Sequence, residues 1–298
     1  MFSLHSHRLR VEICEPGEKP NVSYRFDHAG YISDVVLDGG YHFCASEPRN
    51  LCHPTSMGRG LCNELCLDVS AEAGIGEYYP KFGVGLIRKE EEEKYVFFRQ
   101  FKDVQYFPIR WEHTDDSAVF VTEPLPCLGY ALKSTKTISV KDTTITMVIK
   151  AENVGEKALE LREFCHNFLS IDGMAVGSDY HITMPAIPEQ PPVRLLNRNA
   201  KSSSFRGDGH GLTFCEFSAI DTDIAFQQTE IQPTIPFEWT IRHDGAQMWV
   251  KGADYYHPFR VAVWAVDHIL APEVNHTFTI RPGESHEWKR TWTFGTDF

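Results

Sequence analysis

The stretch Asn153–Asp172, NVGEKALELREFCHNFLSID, decides the predicted fold of this chain. It begins as a polar turn and continues as an extended segment. Apolar and polar side chains mostly alternate along this segment with a period of two, which is typical of a half-buried strand. His166 comes where the strand is expected to end, beside the apolar pair Phe168 and Leu169. Because an imidazole fixed there can give or take a proton near neutral pH, His166 is a candidate functional residue.

The rest of the chain repeats this pattern of extended segments separated by turns. Lys141 and Asp142 predict a tight hairpin between strands at Leu128–Val140 and Thr143–Ala151. Further strands are predicted at Tyr24–Leu37 (a hairpin around Gly30), Glu93–Phe101, Ala118–Thr122, Phe214–Phe217, Ile224–Gln228, Phe237–Arg242, Gln247–Val250, Phe259–Val266, Thr277–Ile280 and Glu287–Phe294. Many short strands without a clean helical period favour an all-β fold of packed antiparallel sheets.

Two segments are predicted to lie outside the strands. The proline-rich run Pro185–Pro192 cannot pair inside a sheet and predicts a surface loop. The charged run Glu90–Lys94 predicts a solvated turn. Since neither a repeat nor a linker separates the strands, we predict one β-sandwich domain over residues 1–298.

Composition limits the class of partner. The chain has 298 residues and a formal net charge of −12, which disfavours a nucleic-acid partner because phosphate binding needs a basic face. Its sequence contains neither an apolar run long enough to span a membrane nor an N-terminal signal segment. The eight cysteines then favour reduced, mostly buried thiols. We therefore predict a cytoplasmic protein, monomer or homodimer, whose partner is a small neutral molecule.

A group of cysteines and histidines in the first quarter of the sequence could alternatively form a metal site. It contains Cys44, Cys52, His53, Cys62 and Cys66, with His42 nearby. Zinc sites usually have closely spaced cysteine pairs, and Cys62 and Cys66 are the only close pair here. Buried thiols acting as small apolar side chains are the favoured interpretation, so no metal and no cofactor is predicted.

Interconversion of sugar anomers is a reaction that this composition permits, because it requires two proton carriers and no cofactor. One group takes the proton of the anomeric hydroxyl, and the other protonates the ring oxygen so that the ring opens. A carboxylate suited to the first role follows the apolar strand that starts near Trp264: Glu273, after Pro272, at the start of a predicted short loop before Thr277.

The whole chain resembles the galactose mutarotase-like superfamily, which includes the aldose 1-epimerases. The segments that carry the resemblance are Asn153–Phe168, Gly58–Glu64 and the C-terminal part from Glu273 through Pro282-Gly283-Glu284 to the strand Trp288–Phe294. The resemblance implies a large antiparallel β-supersandwich and a cofactor-free aldose 1-epimerase-like isomerase. It implies His166 as the general acid at the ring oxygen and Glu273 as the base at the anomeric hydroxyl of a monosaccharide. This prediction requires the two side chains to face each other across a pocket with room for a hexose.

Several further side chains are predicted to bind the sugar. Arg59 and Lys81 are cationic donors in glycine-rich loops, and Tyr79 can stack on an apolar sugar face. Asn63 belongs to the early segment that carries the resemblance. Asp254 and His257 precede a predicted strand and are candidates for contacts to a sugar hydroxyl.

Two other classes of function remain open from the sequence. One is a carbohydrate-binding protein that uses the same scaffold without turnover. The other is a protein related to glycan hydrolases or lyases, since the supersandwich also serves such enzymes as a domain. The chain shows no obvious second carboxylate to complete a glycosidase pair, which disfavours this last alternative.

Overall fold

The computed structural model describes residues 1–18, 24–47, 56–92, 94–187, 193–195, 205–207, 209–214, 222–227 and 235–297. Within these ranges the regular structure consists of strands and one 3-10 helix, Ser70–Glu72. None of the described helical structure is long and apolar enough to cross a membrane.

The described strands pair antiparallel throughout. In chain order they are β1 (Phe2–His5), β2 (Leu9–Cys14), β3 (Tyr31–Leu37), β4 (Tyr41–His42), β5 (Gly60–Cys66), β6 (Tyr78–Lys81), β7 (Gly85–Arg88), β8 (Val104–Tyr106), β9 (Ile109–His113), β10 (Ser117–Thr122), β11 (Leu132–Lys141), β12 (Thr144–Asn153), β13 (Leu159–Phe168), β14 (Tyr180–Ile187), β15 (Val193–Leu195), β16 (Phe205–Gly207), β17 (Gly209–Phe214), β18 (Thr222–Gln227), β19 (Phe237–His243), β20 (Met248–Asp254), β21 (Arg260–Val266), β22 (Ile269–Ile280) and β23 (Ser285–Thr296).

These strands form two large sheets and a small one. The first large sheet has the order β1-β2-β3-β5-β13-β22-β21-β18-β15, with β4 paired to β3. The second has the order β16-β17-β14-β19-β20-β23-β12-β11-β10-β9, and β6, β7 and β8 form the small sheet. The predicted all-β class is therefore correct, and the opening stretch of sequence provides β13, a central strand of the first sheet.

The two large sheets pack face to face around an apolar core. The alternating burial along β11 and β12 places Ile138 and Ile149 in that core. Leu61 and Leu161 enter it from the first sheet. Trp292 of β23 is also buried, and its indole N–H donates a hydrogen bond of 2.9 Å to the side-chain oxygen of Asn167 on β13. This period-two burial is what the sequence pattern predicts for half-buried strands.

Charged side chains also cross the space between the sheets. Glu163 of β13 is fully buried, and its carboxylate lies 2.6 Å from the Arg290 guanidinium and 3.1 Å from His276 Nε2. Arg290 lies 3.3 Å from Asp254. The amide of Asn63 donates to Glu163 at 2.8 Å. The Lys136 ammonium donates to Asn63 at 3.1 Å and pairs with Asp27 at 2.8 Å. We call these residues the core ion network: Asp27, Asn63, Lys136, Glu163, Asp254, His276 and Arg290.

The predicted hairpin within Tyr24–Leu37 is wrong in its first half. Only Tyr31–Leu37 is a strand. The backbone amides of Asp27 and His28 donate to the carbonyls of Asn63 and Gly83, which belong to other segments. The chain then turns at Gly30, whose φ of +61° suits glycine. The turn before β3 is therefore held by tertiary hydrogen bonds, which the local sequence pattern does not reveal.

The predicted strand at Glu93–Phe101 is also wrong over its described part, residues 94–101, which form an irregular loop with a turn at residues 97–98. Tyr95 packs parallel to Phe101 with ring centroids 5.9 Å apart, and its hydroxyl donates to the carbonyl of Tyr24. Of the aromatic side chains that suggest a strand, Phe101 is buried in this loop, whereas Phe97 and Phe98 are exposed. By contrast, Glu90, Glu91 and Glu92 are exposed, as predicted for a solvated turn.

Some of the loops and strand ends predicted from the sequence differ from those in the structure. The loop expected between Glu273 and Thr277 is absent, because β22 runs continuously through both residues. Pro185 lies inside β14, at a point where the pairing with β17 shifts register, which accommodates a residue without an N–H donor. Residues 188–192 of the proline-rich run lie outside the described residues, as do 215–217 of the strand predicted at Phe214–Phe217. The other predicted strands overlap observed strands, with displaced ends.

Candidate functional site

The outer face of the first sheet carries the candidate site. Along β13, Glu163 and Asn167 point inward, where they meet Arg290 and Trp292 of the second sheet. Because side chains alternate along a strand, Phe164 and His166 point to the opposite face. On the neighbouring strand β5, Glu64 lies opposite Phe164 and Cys62 lies opposite His166. The alternation that builds the core therefore also gathers polar side chains on the outer face.

His166 and Glu273 meet directly on this face. The Nε2 atom of His166 lies 3.0 Å from a carboxylate oxygen of Glu273, and the two residues are 4% and 8% exposed. His166 precedes the end of β13 by two residues, and Glu273 lies within β22 opposite Ala262 of β21. The sequence-based requirement of a hexose-sized space between the two side chains is not met in this structure, because a hydrogen-bonding distance leaves no room for a sugar ring.

Aromatic rings enclose the imidazole. The ring of His166 stacks in parallel on Phe168, with centroids 3.9 Å apart. Trp264 of β21 and Phe26 contact it edge-on at 5.3 and 5.9 Å. This packing fixes the imidazole plane and removes it from water, so its protonation state depends on the few polar groups that remain nearby.

His166 is neutral at neutral pH in this arrangement. Burial holds the pKa of His166 well below its usual value of 6.5, and the positive charge of Arg25 acts in the same direction. The Glu273 carboxylate opposes both, since an anion at hydrogen-bonding distance favours imidazolium. With Nε2 directed at Glu273, the buried Nδ1 atom has no hydrogen-bond partner among the described residues.

A second cluster of charges lies beside the pair. The Nε atom of Arg25 donates to Glu64 at 2.5 Å, and the Lys81 ammonium lies 3.5 Å from the same carboxylate. The guanidinium group of Arg25 lies over the rings of Phe97 and Phe26, at 4.3 and 4.9 Å from their centroids. Although burial acts to raise the pKa of Glu64, Arg25 and Lys81 lower it. Glu64 therefore remains ionised and holds Arg25 near His166.

The other sequence-predicted binding residues lie elsewhere. Arg59 donates to the backbone carbonyl of Ser33 at 3.1 Å. Tyr79 is buried, and that burial raises its pKa to about 12. Asn63 and Asp254 belong to the core ion network, and His257 is exposed beyond β20. The structure thus brings His166 and Glu273 together, with Lys81 beside them through Glu64. The other five predicted binding residues lie away from the pair.

Sequence reasoning missed Arg25, Glu64 and Phe97 as neighbours of the pair. Glu64 could have been assigned to the outer face, because it shares the period-two phase of Cys62 and Cys66 on β5. No comparable signal marks Arg25 or Phe97, since both come from irregular segments whose position depends on tertiary contacts.

Of the cysteines in the alternative metal interpretation, Cys62 and Cys66 lie on β5 and Cys44 forms an isolated bridge with Leu169. Burial raises the pKa of Cys62 well above its usual value and that of Cys66 to about 11, so both remain thiols. The part of the chain that the structure describes contains no group of three metal-ligand side chains. Cys52 and His53 lie outside it.

This fold is the galactose mutarotase-like supersandwich, as the sequence resemblance predicts. Solved structures similar to this chain include a galactose mutarotase-like protein from Lactobacillus casei ATCC 334, with a TM-score of 0.59, 11% identity, and coverage of 99% of this chain and 100% of the other. A galactose mutarotase related enzyme from Lactobacillus acidophilus has a TM-score of 0.59 at 13% identity, with 99% and 98% covered. A galactose mutarotase-like protein from Clostridium acetobutylicum has a TM-score of 0.58 at 9% identity, with 99% and 94% covered. A scan against protein-family models gives no match, and a search of curated proteins gives none either.

Replacing Arg25 by glutamine is expected to raise the pKa of His166. The positive charge of Arg25 disfavours imidazolium, so its removal shifts the titration upward, while burial continues to hold the value below 6.5. NMR titration of the histidine ring nitrogens measures this shift directly, and Arg8→Gln, a surface arginine paired with Asp38, is the matched control. An unchanged or lower pKa of His166 in Arg25→Gln would contradict the electrostatic assignment.

Proposed function

We propose that this protein catalyses interconversion of the α and β anomers of an aldose by acid–base catalysis at His166 and Glu273. The observation that carries the proposal is the contact of one imidazole and one carboxylate on the outer face of a galactose mutarotase-like fold. Proton transfer by positioned side chains is the chemistry that such a pair performs. The names of structurally similar proteins support the same class of substrate, a sugar.

The proposed reaction returns His166 and Glu273 to their starting protonation states after each turnover. The imidazolium form of His166 donates its Nε2 proton to the ring oxygen, while the Glu273 carboxylate takes the proton of the anomeric hydroxyl. The bond between the anomeric carbon and the ring oxygen breaks, and the hydroxyl oxygen becomes the carbonyl oxygen of the open-chain aldose. After rotation of that carbonyl group, the reverse transfers close the ring with the other configuration and restore both side chains.

Substrate entry requires the direct contact between the two side chains to open. The ring oxygen and the anomeric hydroxyl are bonded to the same carbon, so they can replace the contact with two hydrogen bonds, one to each side chain. Because charge-assisted hydrogen bonds are the stronger ones, this exchange can offset the separation of the pair. The proposed resting site is therefore closed, and the sugar itself opens it.

A second candidate function is carbohydrate binding without turnover. It is favoured by one observation, the 3.0 Å contact that leaves no space between the two proposed catalytic groups. Under this alternative the pair acts as a fixed structural element of the binding face.

Polarimetry of freshly dissolved aldoses tests the proposal. Wild-type protein is added to α-glucose, α-galactose and other crystalline aldoses between pH 5 and pH 8, and saturation-transfer NMR measures binding in parallel. Anomerisation above the spontaneous rate supports catalysis. Binding without acceleration indicates the second candidate, and a protein that neither binds nor converts any aldose contradicts both.

A further inference from the structure

A polar groove extends along the same outer face, beyond the His166–Glu273 pair. Its volume is about 470 Å³, and it is lined by residues of the three central strands and of the segment after β5, including the apolar Leu161 and Phe278. Arg162 lies in register between Cys66 on β5 and Thr277 on β22, and Glu160 pairs with Thr279. We define this strand-face groove by six of its lining residues: Cys66, Asp68, Glu160, Arg162, Thr277 and Thr279.

The groove presents exposed hydrogen-bonding groups of both kinds, with one Asp68 carboxylate oxygen accepting from the backbone N–H of Ser70 at 3.0 Å. Arg162 is exposed and forms no ion pair with a described carboxylate; its guanidinium donates to the sulfur of Cys66 at 3.3 Å, a weak acceptor. Asp68 and Glu160 are exposed acceptors, and the hydroxyl groups of Thr277 and Thr279 both donate and accept. Donors and acceptors interleaved on a flat strand face match the vicinal hydroxyl groups of a carbohydrate.

The mixed charges of the strand-face groove disfavour an ionic ligand. A phosphate or carboxylate that approached Arg162 would be repelled by Asp68 and Glu160, and a cation that approached those carboxylates would be repelled by Arg162. A neutral polyhydroxylated ligand uses all three side chains without such a cost. The groove therefore fits a neutral sugar better than a sugar phosphate.

The distance to the pair determines how large this ligand must be. Four residues separate Arg162 from His166 along β13, which corresponds to about 13 Å at about 3.3 Å per residue. Phe164 and the Glu64 carboxylate lie between them on the same face. A single hexose at the pair cannot span that distance, whereas an extended saccharide can.

We propose that the ligand of this protein is a neutral oligosaccharide, with its reducing-end sugar at His166 and Glu273 and its following sugars in the strand-face groove. This inference rests on the proposed function for the position of the reducing end. It changes the proposed substrate class from a monosaccharide to an oligosaccharide, and it assigns Arg162 as a specificity-determining residue.

Calorimetric titration with saccharides of increasing length tests the inference. The probes are glucose and galactose together with linear malto-, cello- and β-1,4-galacto-oligosaccharides of two to four residues. In at least one series, affinity is expected to rise with chain length. Arg162→Ala is expected to lower the ratio of tetrasaccharide to monosaccharide affinity about tenfold or more, because it removes a charged hydrogen-bond donor from the groove. Arg281→Ala, an exposed arginine in the turn after β22, is the control and should leave the ratio unchanged.

The outcomes separate this inference from the proposed function. Length-dependent binding without anomerisation supports the groove and contradicts catalysis. Anomerisation with equal affinity for every chain length overturns the groove and leaves catalysis in place. Glucose 6-phosphate that binds more tightly than glucose, with the difference lost in Arg162→Ala, also overturns the inference, because Arg162 would then recognise an anion.

Discussion

Replacing Glu163 by glutamine is expected to lower the free energy of unfolding at neutral pH by about 3–5 kcal/mol. Glu163 is fully buried, and its carboxylate contacts Arg290, His276 and Asn63 within the core ion network. The glutamine side chain has nearly the same shape but carries no charge. It leaves the buried guanidinium of Arg290 without its shortest counter-ion contact, and an uncompensated buried charge is costly.

The loss of stability in Glu163→Gln should be largest at neutral pH and should decrease as the pH falls. Although burial acts to raise the pKa of Glu163, the charges of Arg290 and His276 lower it from 4.5 to about 2. A carboxyl group with a depressed folded-state pKa contributes stability that is complete above its unfolded value and is lost as the pH falls toward the folded value. We therefore expect a contribution of about 3 kcal/mol at neutral pH, which declines between about pH 5 and pH 2.

Urea unfolding followed by circular dichroism at several pH values measures both effects. The difference between wild type and Glu163→Gln should be largest near neutral pH and should shrink in acid. Glu160→Gln is the matched control, because Glu160 lies on the same strand three residues earlier and is exposed. A difference that is equal at pH 7 and pH 3, or equal in the two variants, would show that the charge of Glu163 does not stabilise the fold.

The core ion network also shows what the sequence pattern reveals and where it stops. Glu163 shares the buried period-two phase of Leu161 and Cys165 on β13, and Arg290 shares that of Trp288 and Trp292 on β23. A charged residue in the buried phase of a strand requires a partner on another element. The two positions could therefore have been marked as paired, but which residue meets which depends on how the sheets pack.

The candidate site likewise has features that the sequence predicts and features that depend on tertiary packing. The alternation along β13 predicts that His166 lies on the opposite face from Cys165, and the sequence resemblance selects Glu273. The 3.0 Å contact between them depends on β13 and β22 being neighbours, although more than one hundred residues separate the two side chains in sequence. Arg25 could not be predicted, because the sequence pattern of its segment predicts a strand, whereas tertiary hydrogen bonds hold that segment in an irregular conformation.

Glu273→Gln and His166→Ala are each expected to slow anomerisation by about 10²- to 10⁴-fold, the usual contribution of a positioned general acid or base. The first variant removes the acceptor for the anomeric hydroxyl proton, and the second removes the donor to the ring oxygen. Because both groups act in one proton-transfer cycle, the double variant should be little slower than either single variant. Rates measured by polarimetry at saturating aldose give the comparison, with Glu284→Gln and His257→Asn as controls in exposed positions.

The pH profile distinguishes loss of proton transfer from structural damage. Because burial and Arg25 hold the pKa of His166 well below 6.5, the imidazolium form that donates is scarce in the free protein at neutral pH. The value of kcat/KM should therefore rise as the pH falls below 6.5, until Glu273 becomes protonated and can no longer accept. Arg25→Gln, which raises the pKa of His166, should move the first of these two limbs to higher pH. A profile that is flat between pH 5 and pH 8, or that does not respond to Arg25→Gln, would remove His166 from the proposed role of acid.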